Sequence, residues 1–231
     1  MTNFNRFVSK GSKNFIFIGE AGSGKSEIAI NFAMDMVRNS HKEVHLFDMD
    51  MTKPLFRSRD LGEELKKAGV EFHCQEQFMD APTLVGGVKR LLKDEKALVI
   101  MDVGGDYIGA RAIGGFATLL NETNTIVYYV LNALRPWSED IEHIDVTLGQ
   151  ILGVSHIDLA KVKLIDNSNA GVETTAGEYL EGSSRMLEIV KPYMSIEFSC
   201  VSEGLFKAVR DKARLPLVPM HLYLTYEWLK E

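Results

Sequence analysis

Cysteine is scarce. Cys74 and Cys200 are the only two in 231 residues, and no C-x-x-C or C-x-C pair occurs. That spacing excludes a zinc or iron–sulfur centre built from cysteine pairs and reads as reduced core thiols. Proline is sparse too, at 6 residues. No Pro/Gly/Ser linker or low-complexity tract divides the chain, so 1–231 reads as a single domain. No apolar run approaches the length of a membrane span, and the N-terminus has no apolar h-region. The expectation is a cytoplasmic chain with no stable membrane anchor. Runs of Lys/Arg never exceed two and the net charge is −6, which leaves no electrostatic footprint for nucleic acid. What the chain does have is 45% apolar residues, enough for a sizeable core at this length.

One stretch organises the rest. NFIFIGEAGSGKSEIAINFAMDMV, Asn14 to Val37, reads as a buried strand, a glycine-rich turn and an amphipathic helix. Ile28, Ala29, Phe32, Ala33, Met36 and Val37 recur at i, i+3/i+4 spacing. The turn, Gly19-Glu20-Ala21-Gly22-Ser23-Gly24-Lys25-Ser26, matches G-x-x-x-x-G-K-[ST] in full. Glycines let successive N–H groups converge on phosphate oxygens, and the helix N-terminus adds its dipole. Gly22, Ser23, Gly24, Lys25, Ser26 and Glu27 are therefore the expected phosphate-side contacts. Lys25 reaches the terminal phosphates, and the Ser26 hydroxyl ligates Mg²⁺.

Further along, EVHLFD (43–48), 70–74, ALVIMDV (97–103), TIVYYVL (125–131), 161–165 and 195–200 read as strands. Helices are expected at 60–68, 82–93, near 110–120, 141–152 (Ser138 as its N-cap) and 173–189, with short helices toward the C-terminus. The first dozen residues read as a loose lead-in. Strands alternating with helices predict an α/β three-layer sandwich with a mostly parallel, doubly wound sheet. Ligands in such sheets sit at the C-terminal strand ends. The tails there are Gly19–Ser26, Asp48/Asp50, Asp102–Asp106 and Asn132–Pro136, and the pattern places them on one edge.

A bound triphosphate with Mg²⁺ needs carboxylates to hold the metal's waters and to orient an attacking water. Asp102, closing a hydrophobic strand, suits water-mediated Mg²⁺ binding, and Gly104-Gly105 permits backbone approach to a γ-phosphate. Asp48 and Asp50 are candidates for aligning the water and supporting the metal shell. Ser26, Asp50 and Asp102 thus form the expected metal set, and Lys25, Asp48 and Asp50 the expected catalytic one. Asn132 is a candidate base contact, with Arg135 and Pro136 packing on the purine.

In their order, GEAGSGKS, FDMDMTKP, IMDVGGD and VLNALRP resemble the MinD/ParA/nitrogenase-iron-protein group of P-loop ATPases. The chain is similar to the CobQ/CobB/MinD/ParA (SIMIBI-class) nucleotide-binding domain over most of its length. The resemblance implies a P-loop NTPase fold, ATP/ADP as ligands, ATP hydrolysis and adenine contacts from Asn132. It also implies a nucleotide-controlled switch for a protein partner, commonly as a homodimer. The absence of N-K-x-D after TIVYYVL argues for adenine over guanine on the same logic. One position departs: the group carries lysine where this chain has Glu20. A carboxylate there is repelled by phosphate, so a lysine-mediated dimer contact is lost. Arg57, Arg59, Arg111 and Arg135 are the cationic alternatives. Two other functions fit the same residues: an ATP-dependent ligase or kinase acting on a small carboxylic acid, and an ATP sensor that does not hydrolyse.

Overall fold

The computed structural model describes residues 3–49, 61–73, 82–105 and 107–225. Eight strands form one sheet: β1 (Asn14–Ile18), β2 (Glu43–Met49), β3 (Val70–His73), β4 (Ala97–Val103), β5 (Thr125–Leu131), β6 (Val162–Asp166), β7 (Ile196–Ser202) and β8 (Leu217–Met220). Their order is β3-β2-β4-β1-β5-β6-β7-β8. Every pairing is parallel. Chain progression reverses around β1, which puts the switch point at the end of the strand feeding the glycine-rich turn.

β1 shows why the sheet is covered on both sides. Phe15 and Phe17 face one cluster, Ile16 and Ile18 the other, because alternate side chains point to opposite faces. On the phenylalanine face lie α1 (Lys25–Asn39) and α2 (Gly62–Ala68). On the isoleucine face lie α3 (Pro82–Lys93), α4 (Tyr107–Gly114), α5 (Ala117–Glu122), α6 (Ile141–Ser155) and α7 (Ala176–Val190). A small third cluster joins α7 and α8 (Glu203–Val209) to β7 and β8. This is the expected three-layer α/β arrangement, with a sheet that is wholly parallel among the described residues. None of the described helices is long and apolar enough to cross a membrane.

Several local expectations are corrected. Residues 4–8 are not a loose lead-in: Phe4 is 1% exposed and packs edge-on against Phe198 and tilted on Phe32. Buried Asp35 on α1 accepts the backbone N–H groups of Phe4 and Asn5 at 2.8 and 3.3 Å. The helix expected near 110–120 is two, α4 and α5, separated at Gly115-Phe116. Ser138 does not cap α6; it lies in the 3-10 turn Pro136–Ser138. The cap is Asp140, whose carboxylate accepts the His143 N–H at 2.9 Å. Residues 221–225 are not helical, and β8 was not expected because LVPM contains Pro219. β8 is an edge strand, where proline is tolerated.

Candidate nucleotide site

The turn from β1 into α1 is built around backbone that only glycine accepts cheaply. Gly24 precedes α1 at φ 94°, in the left-handed region. Within the loop the Ser23 N–H and the Lys25 Nζ both donate to the Glu20 carbonyl, at 3.1 and 2.7 Å. Lys25 is 3% exposed and Ser26 is buried at the first turn of α1. The loop therefore folds back on the Glu20 carbonyl, which takes both the Ser23 amide and the Lys25 ammonium.

The acidic residues follow from strand register. Asp102 pairs with Phe17 of β1 and with Asp48 of β2. In-register residues of parallel strands point to the same face, and Phe17 faces α1. Asp48 and Asp102 are thus side by side, both buried, on the side of the sheet where α1 presents Ser26. Asp50, Arg57 and Arg59 lie outside the described residues, as does Asp106. A hydroxyl and two carboxylates at strand ends are hard oxygen donors of the kind Mg²⁺ takes alongside water and phosphate. Among the described residues no cluster of three or more His, Cys, Asp or Glu is placed to hold a metal by itself. The donor set fits a cation that keeps most of its shell from phosphate and solvent.

β4 then brings Gly105 against the loop. A Cβ at Gly105 would stand 2.6 Å from the Ala21 N and 2.8 Å from both Glu20 C and Gly19 O. The segment after β4 and the phosphate loop therefore touch backbone to backbone.

β5 and β6 close the far side. Asn132 is 1% exposed. Its amide donates to the Asn169 carbonyl at 2.8 Å and to the Gly22 carbonyl at 3.4 Å, and its oxygen accepts from the N–H groups of Leu134 and Asn169. The Arg135 Nε donates to the Gly22 carbonyl at 3.1 Å, so this guanidinium lies on the phosphate loop. Pro136 is exposed at the start of the 3-10 turn. Arg185 of α7 donates to the Ala133 carbonyl and fixes the same bend. The Glu27 carboxylate points away from these loops and accepts the N–H groups of Tyr223 and Leu224 at 2.7 and 3.1 Å. Arg111 is exposed on α4.

Three residues with no role in the sequence reading belong to the site. Buried Asn167 donates to the Ser23 carbonyl at 2.7 Å and packs on Gly24. Asn169 takes both ends of the Asn132 amide. Asp166, fully buried at the end of β6, accepts from Ser168 and Ser199, and Tyr179 shares the Ser199 hydroxyl at 2.6 Å. Burial raises the Asp166 carboxyl above its ordinary range against the pull of these hydroxyls. The available signal was the polar run Asp166-Asn167-Ser168-Asn169 directly after an apolar strand. Nothing in that run says which neighbour it meets.

No family model matches this sequence, and no curated protein matches it significantly. Solved structures do match its shape. FlhF complexed with GTP/Mg(2+) superposes with a TM-score of 0.53 at 14% identity, covering 86% of this chain and 70% of that one. FtsY from Mycoplasma mycoides gives 0.54 at 13% identity, covering 84% and 61%. FtsY from Elizabethkingia anophelis in complex with GDP gives 0.54 at 15%, covering 84% and 58%. Identities this low establish the fold alone. Sheet, glycine-rich loop and strand-end carboxylates together define a P-loop NTPase fold. A particular family within that class is a matter of proposal.

Proposed function

We propose that the chain binds ATP with Mg²⁺ and serves as a nucleotide-dependent switch for a protein partner, in the manner of the MinD/ParA-like group. The observation that carries this reading is the contact between Gly105 and the phosphate loop. A phosphate seated on the loop amides displaces or fixes the backbone at Gly105, and with it the start of α4. That is how occupancy of the site becomes a change on the surface.

Lys25 leaves the Glu20 carbonyl to pair with the terminal phosphates. Ser26 and Asp102 hold the cation, with Asp50 completing the set. When bound, Mg²⁺ neutralises the phosphate oxygens against developing charge. Asp48, with Asp50 two residues further along the sequence, is assigned to orient the attacking water. Adenine is favoured because the loops directly after β5 and β6, 132–135 and 167–171, contain no acid. Asp166, which ends β6, is buried among hydroxyls, so no carboxylate there is available to accept the N–H groups of a guanine edge. A GTP reading has support from proteins similar in fold: FlhF was solved with GTP/Mg(2+) and FtsY from Elizabethkingia anophelis with GDP.

Calorimetric titration with ATP and with GTP, each with Mg²⁺, tests both. Saturable ATP binding that falls at least about a hundredfold on Lys25→Ala is expected, from loss of a charge-assisted contact worth about 3 kcal/mol. Absence of binding by either nucleotide overturns the proposal, and a preference for GTP replaces the base assignment.

A further inference from the structure

On the isoleucine face of the sheet, a cleft of about 570 Å³ opens between the phosphate loop and α6, lined among others by Glu20, Gly105, Trp137, Glu142, Val146 and Ile151. Two observations mark it out. Glu20 is 9% exposed, and among the described residues nothing hydrogen-bonds or ion-pairs with its carboxylate. Burial, and then the nearby Glu20 carboxylate, push the Tyr129 phenol upward. The cleft's lip is apolar and exposed. Of the five exposed large apolar side chains among the described residues, two are here, Trp137 at 52% and Val146 at 58%.

The charge balance of the walls is negative. Glu142, exposed on α6, stands one turn before Val146 on the same stripe. His143 on that wall is held by Asp140, Nδ1 to Oδ1 at 2.7 Å, so this imidazole already has its carboxylate. Among the described residues no cation pairs with the Glu20 carboxylate, so a cation entering the cleft gains a charge-assisted contact there. An exposed tryptophan at the rim offers a face to that cation. A planar guanidinium satisfies both at once, forking onto Glu20 while stacking on Trp137.

We propose that this cleft receives an arginine of a protein partner, flanked by apolar residues that cover Trp137 and Val146, with the guanidinium paired to Glu20. The proposal rests on the switch reading above and names the chemistry of that partner. Because Glu20 sits in the phosphate loop, the incoming arginine removes a negative charge from beside the phosphates. Partner and triphosphate therefore strengthen each other's binding, by the same factor in each direction.

The probe is a displayed random dodecapeptide library panned on the full, nucleotide-free chain. The enriched peptides are expected to share an arginine with an apolar neighbour. The strongest of them, fluorescently labelled, is expected to weaken at least about tenfold on Val146→Lys and to be retained or tightened on Val146→Glu, as opposite charges beside an arginine require. Merely structural damage would weaken both. Addition of the peptide should also raise the affinity for ATP·Mg²⁺. Enrichment without arginine, equal affinity for the two Val146 variants, or a dimer seen by light scattering that Val146→Lys breaks would each overturn the proposal, the last by putting a second copy in the cleft. Peptide binding is read without nucleotide, so a chain that takes the peptide but no triphosphate keeps the surface and loses the switch.

Discussion

Replacing Gly105 with alanine tests the contact on which the functional reading turns. The added methyl would lie 2.6 Å from the Ala21 nitrogen and 2.8 Å from the Glu20 carbon and the Gly19 oxygen. Comfortable separations between such atoms are about 3.5 Å, so the shortfall approaches about 0.9 Å at the closest atom. All three are backbone, and the loop cannot give way. The Glu20 carbonyl is held by Ser23 and Lys25, and Gly19 is wedged against β5, where a Cβ would meet the Val130 oxygen at 2.6 Å. The segment after β4 must yield instead. Overpacking of this kind costs about 1–3 kcal/mol, and a chain of this size loses about 2–4 °C of melting temperature per kcal/mol. Scanning calorimetry should therefore show Gly105→Ala melting about 2–12 °C below wild type, with weaker triphosphate binding. Gly87→Ala on α3 is the control, because nothing lies within 4 Å of its Cβ; it should be neutral or gain up to about 1 kcal/mol from helix propensity. A Gly105→Ala protein with unchanged melting and unchanged affinity would refute the contact.

Two further outcomes are expected. Phe4→Ala should cost about 3–5 kcal/mol in urea unfolding, since it removes a fully buried ring from the Phe32/Phe198 cluster; a loss below about 1 kcal/mol would return residues 4–8 to the status of a dispensable arm. Asp166 predicts a pH dependence. Its folded pKa is raised above the ordinary 3.8 by burial, so the native state keeps a proton that the unfolded chain releases. The stability this confers is complete below the unfolded value and is lost as pH rises through the folded one. Asp166→Asn, which does not titrate, should abolish that decline in denaturant midpoints measured from pH 4 upward, whereas parallel pH curves for the two proteins would contradict it.

Strands β4 and β5 were legible to the residue, because a strand buried on both faces is written as an unbroken apolar run, ALVIMDV or TIVYYVL, whatever packs on it. The end of the helix expected at 60–68 was equally local: Gly69 follows it at φ 95°, the left-handed cap that glycine supplies. Errors fell where tertiary contacts override local preference. The segment around Phe4 looked like a loose lead-in until the Asp35 carboxylate, Phe32 of α1 and Phe198 of β7 gathered it in. LVPM looked unlike a strand until it became the outermost one.

The same division runs through the site. Gly19–Ser26 announces phosphate in the sequence alone, because the loop is made by consecutive residues and its spacing sets its geometry. That Asp48 and Asp102 stand side by side facing α1 depended on strand order and register, which join residues more than fifty apart. That Asn167 would brace Ser23, and that Glu20 would be buried at the foot of a cleft rimmed by Trp137 and Val146, came only from the packing of β6 and α6 around the loop. Local chemistry is encoded by neighbours in the chain. Partnership across the sheet is encoded by topology, and only the folded molecule discloses it.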